Sequence, residues 1–485
     1  MASRALGTGV VLALTMASTL VALPTAQATA PSGPAQATTA LPGKKSDFNG
    51  DGYADLAFTA PGATVDGLAG AGYVGVVYGS ATGLKTATKQ VLTQNSAGIP
   101  DAAEASDAFG TNIVSADLDQ DGYADLVVGT WRESVGTVSG AGSLTVVWGG
   151  AGGLSGGATL LTGETNNYVG SQLVVGDFNG DGSQDIGTTR ASVVQFLKGP
   201  FTRQGSAAGI TAVSADYHHG WFDMAAGDLN GDGFDEIVGV SGGEDYRVAA
   251  IATGGPTGPG PFVDMRHSDV RRFEGGETVA IGNVNGDAYA DIVVGRDDGL
   301  DGDEDFPFSF GGMITYVPGG ATGPQVGKSK MMNQDSTGVP GAAEYLDGFG
   351  SSLSIADTNG DGFGEVAVGV PNEALETTKG AGGIVILPGT AAGPTGTGST
   401  GFNQTTAGIT GTAEAGDLFG GAAAFIDGNK DGRAELAVSA PGENAGEGSM
   451  WVIPSMKTGT GSFTFGHGTL GTVAVKAALG ASINS

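Results

Sequence analysis

A short acidic pattern returns seven times between Asp47 and Glu435, and this recurrence constrains the fold more than any other feature of the chain. Its fullest copy reads Asp117-Leu-Asp119-Gln-Asp121-Gly122-Tyr123-Ala-Asp125, with an apolar run at 126–129 directly behind it. In the other copies, positions 1, 3, 5, 7 and 9 are Asp47, Asn49, Asp51, Tyr53 and Asp55, then Asp177, Asn179, Asp181, Ser183 and Asp185. Next come Asp228, Asn230, Asp232, Phe234 and Glu236, followed by Asn283, Asn285, Asp287, Tyr289 and Asp291. The last two are Asp357, Asn359, Asp361, Phe363 and Glu365, and Asp427, Asn429, Asp431, Arg433 and Glu435. Successive copies start 70, 60, 51, 55, 74 and 70 residues apart, and periods of this size mark a repeat architecture.

Acids at alternate positions of a tight turn aim several oxygens at one centre, which without a cation would be mutual repulsion. A hard divalent ion taking six to eight oxygens at about 2.3–2.6 Å resolves it, and Ca²⁺ fits best. Side chains 1, 3, 5 and 9 and the carbonyl of position 7 are the expected ligands. The loop is not an EF-hand, which closes with Glu at position 12 between two helices. Position 12 here is Val128, inside the apolar run, so Asp125 must close the site within a β-hairpin. Up to seven Ca²⁺ ions are expected. Repeat five is the weakest site, with Asn283 for Asp and Ala288 for Gly, and Lys430 and Arg433 should weaken the seventh. The alternative for each loop is a metal-free Asx turn.

Each repeat carries more than the loop. Phe-Gly precedes it at Phe109-Gly110, Phe349-Gly350 and Phe419-Gly420, and an apolar strand after it ends near Ala60-Pro61, Val370-Pro371 or Ala440-Pro441. A Gly-rich turn, a third strand and a weaker fourth follow. Four short strands per unit describe a propeller blade, so the expected fold is all-β: a seven-bladed β-propeller of four-stranded blades. These motifs resemble the FG-GAP repeat of integrin α-subunit propellers and related bacterial secreted proteins over roughly residues 43–476. The match is looser at Val169-Gly170, His219-Gly220 and Gly275-Gly276. The resemblance implies the fold and the calcium loops, not a particular ligand.

Repeat one lacks a Phe-Gly strand, whereas Phe463-Thr-Phe465-Gly466 follows the last repeat as an orphan. The C-terminal segment is therefore expected to pair into blade one and close the ring, which removes exposed sheet edges. Residues 1–28 read as a signal peptide, with Arg4, an apolar core and Ala26-Gln-Ala28 as cleavage site. Residues 29–46 read as a flexible Ala/Thr/Pro-rich leader and 47–485 as the propeller. A secreted, extracellular monomer without a membrane span is expected.

The net charge of −30 weighs against nucleic acid, since phosphate needs Lys and Arg. With no cysteine, calcium replaces disulfides as the external crosslink. Three segments, 94–110, 334–350 and 404–420, resemble one another, each with Ala-Glu (Glu104, Glu344, Glu414) and then Asp-x-Phe-Gly. They connect blade to blade on the face opposite the acidic loops, where a ligand surface is expected. The acidic insertion 296–310, with Asp301, Asp303 and Asp305 beside Phe306 and Phe308, reads as a solvated loop that could hold a further cation or a partner. Leu387-Pro-Gly-Thr390 reads as a strand end. Catalytic signals are poor. Gly239-Val-Ser241-Gly-Gly243 matches a nucleophile elbow but is followed by another strand rather than a helix, and the four His have no zinc spacing. The leading function is an integrin-like adhesion or ligand-binding module for an extracellular protein or glycan. The alternatives are a hydrolase of phospholipase or esterase type, because FG-GAP propellers also accompany such enzymes, and a scaffold without ligand.

Overall fold

The computed structural model describes residues 46–191, 193–214, 220–243, 246–265, 275–297 and 310–484. They form seven four-stranded antiparallel sheets, six of them meanders in which neighbours in sequence are neighbours in the sheet, the seventh completed by the last strand of the chain. The first strands of blades two to seven are Asn112–Ala116, Leu173–Gly176, Trp221–Gly227, Thr278–Gly282, Leu353–Ala356 and Ala423–Ile426. Each touches the first strand of the next blade, and Ile483–Asn484 touches both blade two and blade seven, so the ring is closed.

The second strands, among them Leu56–Ala60, Asp125–Thr130, Glu365–Val370 and Glu435–Ala440, are buried along their whole length. They read as continuous apolar runs because both faces of a blade are covered by its neighbours. The core is accordingly divided into seven clusters, one per blade junction. Between blades one and two, Val74, Val76 and Tyr78 pack against Ile113, Leu126 and Val128, with Phe48 and Phe109 between them. Among the described residues helix is confined to two four-residue turns, Glu443–Gly446 and His467–Leu470, and one 3-10 turn, Val326–Lys328.

The Phe-Gly motif has a packing reason. The connector entering blade seven crosses the third strand of blade six, where Phe419 makes a parallel bridge with Gly382. A Cβ on Gly382 would lie 2.3 Å from the Phe419 carbonyl oxygen, so only glycine lets the two backbones meet. Phe349 meets Gly312 in the same way, and so does Val169 with Gly142, which brings the looser third repeat into the pattern. His219 and the insertion residues 298–309 lie outside the described residues, as do 1–45.

Closure occurs as expected, but through different residues. Phe463–Phe465 is not the closing strand; it is the fourth strand of blade seven, paired with Ser449–Ile453. Ile483–Asn484 pairs antiparallel with Leu56–Ala60, placing Ala57 opposite Asn484 and Phe58 opposite Ile483. The Phe-Gly role falls to Leu479-Gly480. Leu479 is fully buried, and a Cβ on Gly448 would lie 2.4 Å from its backbone N. Leucine fills the slot that phenylalanine fills elsewhere, and that substitution hid the motif.

Candidate functional site

Loops two to seven each join the first strand of a blade to its second, and loop one leads into the second strand of blade one, Leu56–Ala60, so all seven share one face of the ring. Loop two shows the plan. The two oxygens of Asp117 accept the N–H groups of Asp121 and Gly122 at 3.1 and 3.0 Å, and Asp121 Oδ1 accepts the Tyr123 N–H at 3.1 Å. Gln120 and Gly122 both sit at positive φ, 61° and 91°, which folds the turn tightly enough to bring the side chains together. The result is one carboxylate oxygen each from Asp117, Asp119 and Asp125 within 4.8 Å of one another. The bond from the position 6 amide to position 1 recurs in loops one, three, four, six and seven at 2.8–3.1 Å.

Position 9 has a second task. Asp125 begins the second strand, and its oxygens accept the Leu118 N–H at 3.0 Å and the Gly149 N–H at 2.8 Å. Asp55, Asp185 and Asp291 hold Gly79, Gly199 and Gly319 in the same manner. Each of these acids thus staples its hairpin to the turn after the third strand. Burial pushes their pKa values up: Asp55, Asp125, Glu236 and Glu435 to about 7, Asp291 to about 6, and Asp185 and Glu365 upward, with neighbouring loop acids adding to the rise. Apart from loop seven, with Lys430 and Arg433, these loops lack positive charge of their own. Asp47 Oδ1 is buried with no hydrogen-bond partner, an acceptor left for a cation.

The loops are not equal. In loop two, the Arg203 guanidinium reaches Asp119 at 2.6 Å and also Asp121. In loop three, Lys198 Nζ lies 3.0 Å from Asp181 and 3.2 Å from Asn179 Oδ1. Loop five turns inward: Asn283 donates to the Asp287 carbonyl at 2.6 Å, and Asn285 donates to Asp287 and Asp291 at 3.0 and 3.2 Å. Ala288, unlike the six glycines at its position, does not adopt positive φ. The position 3 amide donates to the position 9 acid in loops three, four, six and seven as well, so what sets loop five apart is Asn283, whose amide takes the place of a position 1 carboxylate, and the missing glycine at 288.

The opposite face carries the turns after the second strands and the blade-to-blade connectors. Two aromatic pairs stand there, one half-buried at Trp131 and one exposed in both rings. Trp131 and Tyr168 have ring centroids 5.6 Å apart, with the Arg132 guanidinium 4.3 Å from the Trp131 ring. Phe310 and Tyr345 are 6.1 Å apart, and both rings are half exposed beside the equally exposed Leu346. Sequence reasoning placed the ligand surface on this face but named none of these residues.

Sequence reasoning also missed an acid on the same face. Gln94 donates to Glu133 at 2.5 Å, Gln334 to Glu373 at 2.6 Å and Gln404 to Glu443 at 2.6 Å, always 39 residues apart. That constant spacing was visible in the sequence as soon as the three similar segments were aligned.

The catalytic decoys resolve simply. Ser241 is buried within the strand Glu236–Gly243, opposite Trp221 and Val248, and another strand follows. His467 is buried and held by Thr472 and the Glu447 carbonyl at 2.9 and 2.8 Å, while His218, His219 and His267 lie outside the described residues. Asp301, Asp303, Asp305, Phe306 and Phe308 lie outside them too. Leu387 ends the strand Gly383–Leu387.

Residues 46–78, 109–147 and 349–387 match the model of the FG-GAP repeat. Together with seven blades and seven acidic hairpins, this makes the chain a seven-bladed β-propeller carrying FG-GAP repeats. Among known proteins it is 33% identical over 143 residues to phosphatidylinositol-glycan-specific phospholipase D of Mus musculus, covering 29% of this chain and 17% of that protein. It is 29% identical over 223 residues to integrin alpha-PS2 of Drosophila melanogaster, covering 42% of this chain and 15% of that one. The chain thus spans less than a fifth of the length of either relative. A solved Agrocybe aegerita lectin, described for its recognition of non-reducing terminal N-acetylglucosamine, aligns over 72% of this chain and 79% of its own at 15% identity and a TM-score of 0.39, a likeness too slight to carry an argument.

Proposed function

We propose that the chain is a secreted propeller that binds calcium on its hairpin face and recognises an extracellular protein or glycan on its connector face. The observation that carries the reading is the pair of aromatic clusters, half-buried Trp131 with exposed Tyr168 and Arg132, and exposed Phe310 and Tyr345 with Leu346. Exposed rings edged by a cation suit apolar sugar faces and protein hot spots alike. Calcium at the loop positions named above, with loop five the weakest site, stiffens the opposite rim and holds the blades in register. The likeness to an integrin α subunit supports an adhesive role. The signal peptide at 1–28 lies outside the described residues, and no described helix is long and apolar enough to cross a membrane. The test is a glycan and protein array probed with and without Ca²⁺. Binding that is lost in Tyr168→Ala or Tyr345→Ala supports the reading; undiminished binding by both variants contradicts it.

The likeness to phospholipase D gives a hydrolase reading its one support. A screen of ester and phosphodiester substrates with the native chain and Ser241→Ala separates the two. Turnover abolished by that change would replace ligand binding with catalysis.

A further inference from the structure

On the connector face, blade two gathers three acids around a buried amide. Glu104 and Asp107 come from the connector, and Glu133 comes from the turn after Asp125–Thr130; one oxygen of each lies within 4.8 Å of the other two. Asp107 and Glu133 are almost fully buried, at 2% and 1% exposure, and so is Gln94 at 3%. Burial is the main cause of the raised Glu133 pKa, and the negative charges of Asp107, Asp101 and Glu104 add to it. Two buried acids and the exposed Glu104 thus converge beside the buried amide of Gln94.

A second, independent observation points to what is needed there. Glu133 Oε1 and Gln94 Oε1 are buried and have no hydrogen-bond partner. Buried acceptors without donors are uncommon, and each leaves a desolvation cost that some ligand must offset. Gln334 Oε1 and Gln404 Oε1, the corresponding atoms of blades six and seven, are orphaned in the same way. Their amides hold Glu373 and Glu443, and Asp347 and Asp417 accept the Glu344 and Glu414 N–H groups just as Asp107 accepts that of Glu104. At blade six a cavity of about 180 Å³ reaches Gln334 and Glu373, room enough for a partly hydrated ion.

We infer that Gln94, Glu104, Asp107 and Glu133 form a binding site for a hard divalent cation, repeated at Gln334, Glu344, Asp347 and Glu373 and at Gln404, Glu414, Asp417 and Glu443. Carboxylate and amide oxygens with no nitrogen or sulfur ligand are the donor set of Ca²⁺, with Mg²⁺ as the smaller competitor. The ion would fasten each connector to the second strand of its blade, beneath the aromatic rim. Blade one has no such site, since Ala63 and Ala477 stand where blades two, six and seven place their two acids. The site is independent of the hairpin loops and of the ligand reading.

The test is the Ca²⁺ content of the full chain at saturating calcium, measured by equilibrium dialysis and elemental analysis. Glu133→Gln, Glu373→Gln and Glu443→Gln, which keep side-chain size, should each bind one ion fewer than the native chain with an unchanged far-UV circular dichroism spectrum. Full stoichiometry in all three overturns the inference and leaves acid–amide pairs sharing a proton. Asp117→Asn serves as the hairpin control, so a failure of the loop sites is read separately. Crystals of the native chain grown with Mn²⁺ give a measurement that needs no variant. An anomalous peak between Asp107 and Glu133 is expected, and hairpin peaks without it would also overturn the inference.

Discussion

On the hairpin face, Asp119 and Asp121 meet the half-exposed Arg203, and both oxygens of Asp117 accept the loop's own N–H groups. On the connector face, Asp107 and Glu133 are sealed, Asp107, Asp101 and Glu104 act on the buried Glu133 with like charge, and buried oxygens go unanswered. The hairpin loop is a short sequence that folds around its own ligands. The connector cluster exists only when a blade's connector and second strand meet, over 39 residues. Local motifs make sites that sequence can read, whereas tertiary contacts make sites that only the closed ring reveals.

The largest expected effect concerns that closure. Truncation before Ala477 removes Leu479 from the connector face together with Ile483–Asn484, and should abolish the cooperative melt. Leu479→Ala alone should cost about 2–5 kcal/mol by thermal or urea unfolding, as for other buried leucines. A truncated chain melting like the native one would contradict the pairing of the closing strand with Leu56–Ala60.

Next is calcium itself. At a hundredfold excess over its dissociation constant, each site contributes about 2.7 kcal/mol, so several sites together rival the stability of a whole domain, about 5–15 kcal/mol. Chelation should lower the melting temperature steeply, and Ca²⁺ should restore it.

The pH dependence follows from the position 9 acids. Unfolded, they titrate at about 4. In the folded, cation-free chain, burial holds Asp55, Asp125, Glu236 and Glu435 near 7. Their contribution is therefore fully present below about pH 4 and lost as pH rises through 7, so the cation-free chain should melt lower at pH 8 than at pH 5. Calcium binds the ionised form, so the increase in melting temperature that it confers should grow over the same interval. An increment independent of pH would contradict the assignment of position 9 as a ligand.

A smaller effect separates loop two from loop five. Asp119→Ala should reduce the chelation-sensitive part of the melting temperature, while Asn285→Ala should leave it unchanged. The smallest is Arg203→Ala. Its guanidinium is 44% exposed, so its removal should tighten calcium in loop two by less than tenfold, about 1 kcal/mol or below.

The blade count, the strand order and the hairpin loops were legible because each repeat prints its turn residues and its doubly buried second strand in order. The closing strand was not. Leu479-Gly480 lacks the phenylalanine that marks the other repeats, and Phe463–Phe465 displayed that mark in the wrong place. Glu133, Glu373 and Glu443 were passed over because each stands alone in a turn and gains meaning only from a glutamine 39 residues earlier. The aromatic pairs are likewise products of connectors from different blades meeting.

The most direct test of the whole account is the metal content of the purified propeller after exhaustive dialysis against trace calcium. Several calcium ions per chain, lost on chelation together with thermal stability, are predicted. A chain that retains no calcium and melts unchanged would contradict it.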